Sequence, residues 1–109
     1  MKTIAVVPAR SKSKGIKDKN IRKVAGHPLL AYSLAAGLSL KRVERVICST
    51  DSPEIAHIAK SYGAEAPFLR PKELAQDDTP DYPMFRHLLS FLEKEENYLP
   101  DIILHLRPT

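Results

Sequence analysis

Short apolar runs alternate with stretches of helical periodicity along this chain, and that alternation most restricts its fold. Residues 3–7 (TIAVV) are β-branched and apolar and are cut off by Pro8, the pattern of a strand buried on both faces. Residues 29–40 repeat apolar side chains at helical spacing (Leu30, Leu34, Leu38; Ala31, Ala35), with Pro28 suited to the first helical position. A second strand is expected over 43–50, centred on Val46, Ile47 and Cys48. Asp51-Ser52-Pro53-Glu54 then marks a helix start: Ser52 as cap, Pro53 in the first turn, and an acid beside the positive helix end. That helix, 54–62, sets Ile55, Ile58 and Ala59 on one face and stops at Gly63. Residues 66–69 predict a third short strand that contains Pro67, and 71–80 a loop. A third helix is expected over 82–97, with Phe85, Leu88, Leu89 and Leu92 facing a core, and a fourth strand over 102–106.

The order β-α-β-α-β-α-β is that of a doubly wound α/β sheet. At 109 residues the chain suits one domain, without repeat or linker. Open sheets of this kind bind ligands outside the carboxyl ends of their strands. This chain stops directly after a strand, which leads us to expect a truncated domain, the rest of it absent.

Charge is concentrated. From Arg10 to Lys23 there are seven basic residues and one acid, net +6, whereas the rest of the chain has ten basic and twelve acidic residues. A local anionic ligand explains this better than a generally basic protein. No run approaches the roughly 18 apolar residues of a membrane span, and the first apolar run is too short for a secretory signal. Cys48 is the sole cysteine, so no internal disulfide can form, as suits a reducing cytoplasm. A cytoplasmic protein without a membrane partner is the expectation.

The basic segment follows the first strand, where phosphate sites cluster in such folds. Ser11, Ser13 and Gly15 permit backbone N–H groups to turn toward an anion. Arg10, Lys14 and Lys19 can neutralise a triphosphate and stabilise charge growing on a leaving pyrophosphate, the catalytic role assigned to these three. The glycines of a Walker A or dinucleotide turn are missing. A solvated lysine-rich loop or a nucleic-acid patch is the alternative. Position weighs against it, as does the lack of aromatic residues among the lysines for stacking on bases.

The segment VPARSKSKGIKDKN (7–20) resembles the signature of the acylneuraminate (CMP-sialic acid synthetase-like) cytidylyltransferases: P-A-R closing a strand, then S-K-G, then K-N. Further blocks match in order: Gly26-His27-Pro28-Leu29; Ser49-Thr50-Asp51 with Glu54-Ile55-Ala56; Gly63-Ala64-Glu65, Arg70-Pro71 and Leu74-Ala75-Gln76-Asp77; and Leu106-Arg107-Pro108-Thr109. The resemblance implies a Rossmann-like nucleotidyltransferase (GT-A-type) three-layer sandwich with a mostly parallel sheet, truncated here. It implies transfer of CMP from CTP to a nine-carbon-type 2-keto sugar acid. It places Arg10, Ser13, Lys14, Gly15, Lys19 and Asn20 on the phosphates and ribose, and Leu74, Ala75 and Asp77 in the loop closing over cytosine. Arg107 falls at the junction of nucleotide and sugar. Mg²⁺ is implied as cofactor with ligands in the absent half, no metal ligand in this chain, no nucleic acid, and a homodimer at full length. A 3-deoxy-manno-octulosonate-type enzyme is the nearest alternative; the S-T-D-x-x-E-I-A and R-P-T blocks favour the acylneuraminate branch.

Lys12 and Lys17 depart from the family's common residues, and Arg107 stands where Gln is frequent. Asp51 is explained by the helix start beside it. Asp77-Asp78 are turn formers rather than a metal pair. His57, His87 and His105 show no ligand spacing, although His87 matches a histidine frequent in the family's third helix. Cys48, mid-strand, is expected to be a packing thiol.

Overall fold

Every side chain from Thr3 to Val7 is buried, and the reason is a sheet covered on both faces. The computed structural model describes residues 1–9, 23–24, 27–71 and 81–107. Strand β1 is Thr3–Pro8. A two-residue strand β2 (Lys23–Val24) pairs antiparallel with β3 (His27–Pro28) just ahead of helix α1 (Leu29–Leu38). Strand β4 is Arg45–Ser49, helix α2 Pro53–Ser61, helix α3 Asp81–Glu96 and strand β5 Ile102–His105. The main sheet has the order β4-β1-β5 and is parallel throughout, with Ile4 opposite Arg45 on one side of β1 and Ile103 on the other.

Strand periodicity separates the two faces. Ala5, Val7, Val46 and Cys48 pack with Leu30 and Leu34 of α1 and with Ile55 and Ala59 of α2. Ile4, Val6 and Ile47 pack with Met84, Leu88 and Leu92 of α3. Two helices on one face and one on the other give the expected three-layer α/β sandwich. Helix α1 approaches the sheet closely at Gly37: a Cβ there would meet Val46 Cγ2 at 3.2 Å, with Ala5 Cβ and Leu106 Cδ1 both at 3.3 Å.

The ends of α2 form as its sequence dictates. Ser52 Oγ accepts from Ile55 N at 3.2 Å, and Pro53 opens the helix. At the other end Gly63 has φ +91°, its N–H reaches Lys60 O, and Ala64 N reaches Ala59 O, both at 3.1 Å. This is a Schellman stop, which requires the left-handed region that glycine adopts without strain.

Three local expectations are corrected. The strand expected over 66–69 is absent: among the described residues only an isolated bridge, Ile47 to Glu65, extends the sheet beyond β4. Pro67 has no N–H to continue a ladder, so pairing ends as soon as it starts. Pro28 belongs to β3, and the helix starts one residue later. Asn97, expected as the last residue of the third helix, lies past α3 with φ +50° and turns the chain toward β5.

Candidate functional site

From β1 the chain winds outward through α1 to β4 and through α2 to the Glu65 bridge. Helix α3 then crosses the opposite face to β5 on the far flank of β1. The winding reverses between β1 and β5, and a crevice at the carboxyl ends of the strands follows from such a reversal. The chain segments at that edge are Pro8-Ala9, Ser49 to Ser52, Arg70-Pro71 and Leu106-Arg107.

Backbone hydrogen bonds hold these segments level. Ala9 N donates to Ser49 O at 2.9 Å, and Leu106 N to Val6 O at 3.0 Å. Extending the register by two residues sets Arg107 beside Pro8, itself opposite Ser49. Arg107 is exposed, and its carbonyl accepts from Ser33 Oγ of α1 at 3.3 Å. Thr50, fully buried, accepts from Ser52 N through Oγ1 at 3.1 Å and from Arg70 N through its carbonyl at 2.7 Å. Arg70 is only 5% exposed, and its Nη2 reaches Ser49 O at 2.8 Å.

Of the residues expected to form the site, Arg107 is described and stands at this edge. Arg10, Ser13, Lys14, Gly15, Lys19 and Asn20 lie outside the described residues, as do Leu74, Ala75 and Asp77. What is established for those two segments is where they start. The basic segment leaves β1 at Ala9 and the second leaves Pro71, and Ser49 and Thr50 join those two stems.

Around the site the remaining candidates resolve into structural parts. His87 of α3 meets Phe68 edge-on, ring centroids 4.8 Å apart, and its Nδ1 is buried without a hydrogen-bond partner among the described residues. Burial first, and the charge of Arg70 second, lower its pKa and keep the imidazole neutral. His105 packs edge-on against Phe85 at 5.1 Å. Cys48 is fully buried and its thiol is pushed up to about 12, chiefly by desolvation, which leaves it unreactive as expected. His57 lines an open cleft of about 340 Å³ with Lys60, Pro67 and Phe68 on the flank of α2. Among the described residues no group of three or more His, Cys, Asp or Glu side chains is placed to hold a metal, and no helix is long and apolar enough to cross a membrane.

Sequence reasoning noted Arg70 only as a letter in a motif. Nothing local marks an arginine as buried; the signal was the Arg-Pro pair where the chain returns to the sheet's carboxyl edge.

An open parallel sheet with its winding reversed beside β1, and a segment of cationic sequence following that strand, is the arrangement in which α/β folds of this class bind ligands. A family model described as "Cytidylyltransferase" matches residues 4–99, and the chain belongs to that family, on its acylneuraminate and legionaminic-acid side. It is 43% identical over 97 residues to the N-acylneuraminate cytidylyltransferase of Escherichia coli O18:K1:H7, covering 89% of this chain and 23% of that protein. It is 38% identical over 109 residues to the CMP-N,N'-diacetyllegionaminic acid synthase of Legionella pneumophila, covering 100% of this chain and 47% of that protein. The chain therefore spans less than half the length of these curated relatives. Its fold is similar to that of a CMP:2-keto-3-deoxy-manno-octonic acid synthetase solved with CTP, at TM-score 0.77 and 22% identity over 99% of this chain and 40% of that one.

Proposed function

We propose that this chain is the nucleotide-binding N-terminal half of a cytidylyltransferase that transfers CMP from CTP to a 2-keto sugar acid of the sialic type. The observation that carries the reading is the placement of the net +6 segment: it leaves β1 at the carboxyl edge, beside the reversal between β1 and β5. In the reaction the anomeric hydroxyl of the sugar acid attacks the α-phosphorus and gives up its proton. The bond from that phosphorus to the bridging oxygen breaks, and pyrophosphate leaves. Arg10, Lys14 and Lys19 are proposed to offset the charge that accumulates on pyrophosphate, and Ser13, Gly15 and Asn20 to hold phosphates and ribose. Leu74, Ala75 and Asp77 are proposed for the cytosine side, and Arg107 for the junction with the sugar.

Family relatives named for acylneuraminate and legionaminic acid at 38–43% identity support this branch over the octulosonate type. The Mg²⁺ of the proposal neutralises triphosphate charge when bound. Among the described residues no group of three or more His, Cys, Asp or Glu side chains is placed to hold it. Cytoplasmic location and a homodimer at full length complete the proposal. For these 109 residues alone the activity proposed is CTP binding without turnover.

The test is the thermal unfolding midpoint with CTP and Mg²⁺, with ATP and GTP as controls, since a ligand of the folded state raises apparent stability. A rise specific to CTP is expected. Equal rises for all three nucleotides, or none, would overturn the reading.

A further inference from the structure

The two flanks of the main sheet end differently. Beyond β4, among the described residues, only the Ile47–Glu65 bridge adds to the sheet, and Pro67, lacking an N–H, bars further pairing. On the opposite flank β5 pairs only with β1 among the described residues. It has neither proline nor lysine within Ile102–His105 to blunt it as an edge. Its apolar run is also thinly covered. Strand β1 is buried from Thr3 to Val7 and β4 from Val46 to Ser49, whereas Ile102 is 40% exposed and Ile103, Leu104 and Leu106 are half-buried. Parallel strands of such composition are ordinarily covered on both faces.

The ladder to β1 determines which backbone groups remain. Ile102 N donates to Lys2 O at 3.1 Å and Leu106 N to Val6 O at 3.0 Å. Backbone groups alternate sides along a strand, so the N–H and C=O of Ile103 and His105 point away from β1, at the outer edge. A second copy of β5 running antiparallel can meet them only in registers that oppose outward-pointing residues to one another. Setting Ile103 opposite the second copy's His105 puts Leu104 on the twofold axis and Ile102 opposite Leu106. It also sets Asp101 opposite Arg107, and both of these are exposed. Registers shifted by two residues either way break that match of charges, placing Asp101 opposite His105 or Thr109 and Arg107 opposite Leu99 or Ile103. In the charge-matched register the apolar side chains match too. Leu104 and Leu106, which pack with the α1 side of the sheet, would meet their counterparts on that same face.

We infer that β5 is a self-association edge: two copies of this chain pair antiparallel along it about a twofold axis at Leu104, with Asp101 of each facing Arg107 of the other. Such an interface is self-complementary and closes at two copies, so the sheet becomes continuous across the pair. The inference goes beyond the CTP reading and does not depend on it.

The experiment uses the full chain. Analytical ultracentrifugation over a concentration series is expected to show a reversible monomer–dimer equilibrium. Asp101→Arg and Arg107→Asp each put two like-charged pairs into the dimer and should weaken it about tenfold, and both changes in one chain should return it to within about threefold of wild type. Asp101 also accepts from Lys2 N at 2.7 Å, so Arg107→Asp and the cysteine variants carry the test if Asp101→Arg does not fold. Leu104→Cys should cross-link to itself under copper phenanthroline, because opposed antiparallel residues on the axis bring their Cα atoms to about 4.5 Å, within disulfide reach. Ile102→Cys should not, its counterpart being Leu106, and wild type, whose Cys48 is fully buried, is the control. A chain that stays monomeric throughout the series leaves this edge to another occupant and overturns the inference. So does a dimer indifferent to both single charge changes, one that a folded double variant fails to restore, or one in which Ile102→Cys cross-links as readily as Leu104→Cys.

Discussion

Arg45 grips Glu65 with two parallel hydrogen bonds, Nε to Oε2 at 2.8 Å and Nη2 to Oε1 at 2.6 Å. The same guanidinium reaches Glu96 at 2.9 Å, at the end of α3, and lies 4.6 Å from the ring centre of Tyr98. It thereby ties β4, the edge segment and α3 together at the amino-terminal end of the sheet, opposite the candidate site. Forked pairing is stronger than a single contact, but both glutamates are partly exposed and screened. Arg45→Met should therefore lower stability by about 1–2 kcal/mol. Urea unfolding at low and at 1 M salt checks this: the deficit should shrink at high salt, while CTP affinity stays at the wild-type value.

That clamp also shows where sequence reading stops. The helices were legible because their ends are encoded locally: Ser52 and Pro53 start α2, and Gly63 stops it with φ +91°. Strand β1 was legible because a strand buried on both faces must be apolar at every position. The 66–69 segment was misread because its β character depends on a neighbour's N–H ladder, which Pro67 interrupts, and the β2–β3 pair is too short for any period to register. Arg45 and Arg70 look alike as letters. Only the tertiary arrangement makes one a clamp at the far end and the other a buried tie between the two stems. Of the site itself, the start of the basic segment after β1 was legible, whereas the meeting of two stems on Ser49 was not, since it joins residues about forty and twenty positions apart.

Gly37 leaves α1 little room for a side chain against the sheet. A helix interior ordinarily gains up to about 1 kcal/mol when glycine becomes a better helix former. Here contacts at 3.2–3.3 Å to Val46, Ala5 and Leu106 leave no room for a longer side chain. Gly37→Leu should cost about 2 kcal/mol by overpacking. Denaturant unfolding measures it, and unchanged stability would show that α1 can lift from the sheet without penalty.

Cys48 contributes a pH dependence on the alkaline side. Its thiol pKa rises from 9.0 to about 12 on burial, so between those values the folded chain keeps a proton that the unfolded chain has released. The contribution is fully present below pH 9 and is lost as pH rises toward 12. Near pH 10 the slope from this one group approaches about 1.4 kcal/mol per pH unit. The difference in urea midpoint between wild type and Cys48→Ala should therefore change steadily from pH 8.5 to 10.5, with wild type losing stability faster. Parallel profiles would show that the thiol is not held protonated.

His87 acts on the acid side with the opposite sign. Burial, then the charge of Arg70, depresses its folded pKa below 6.5, so the folded chain disfavours the imidazolium that the unfolded chain accepts. The stabilising contribution is complete above pH 6.5 and is lost as pH falls through the depressed value. Among the described residues Phe68 meets the ring edge-on, and the positive charge of Arg70 acts on it. A proton there would add a positive charge that the charge of Arg70 opposes. His87→Gln, which cannot take up that proton, should flatten the fall in unfolding midpoint between pH 7 and 5 while leaving the stability at pH 7.5 within about 1 kcal/mol of wild type. Thermal unfolding across that range is the measurement. If the variant and wild type lose stability together on acidification, the neutral form of His87 is not what the fold requires.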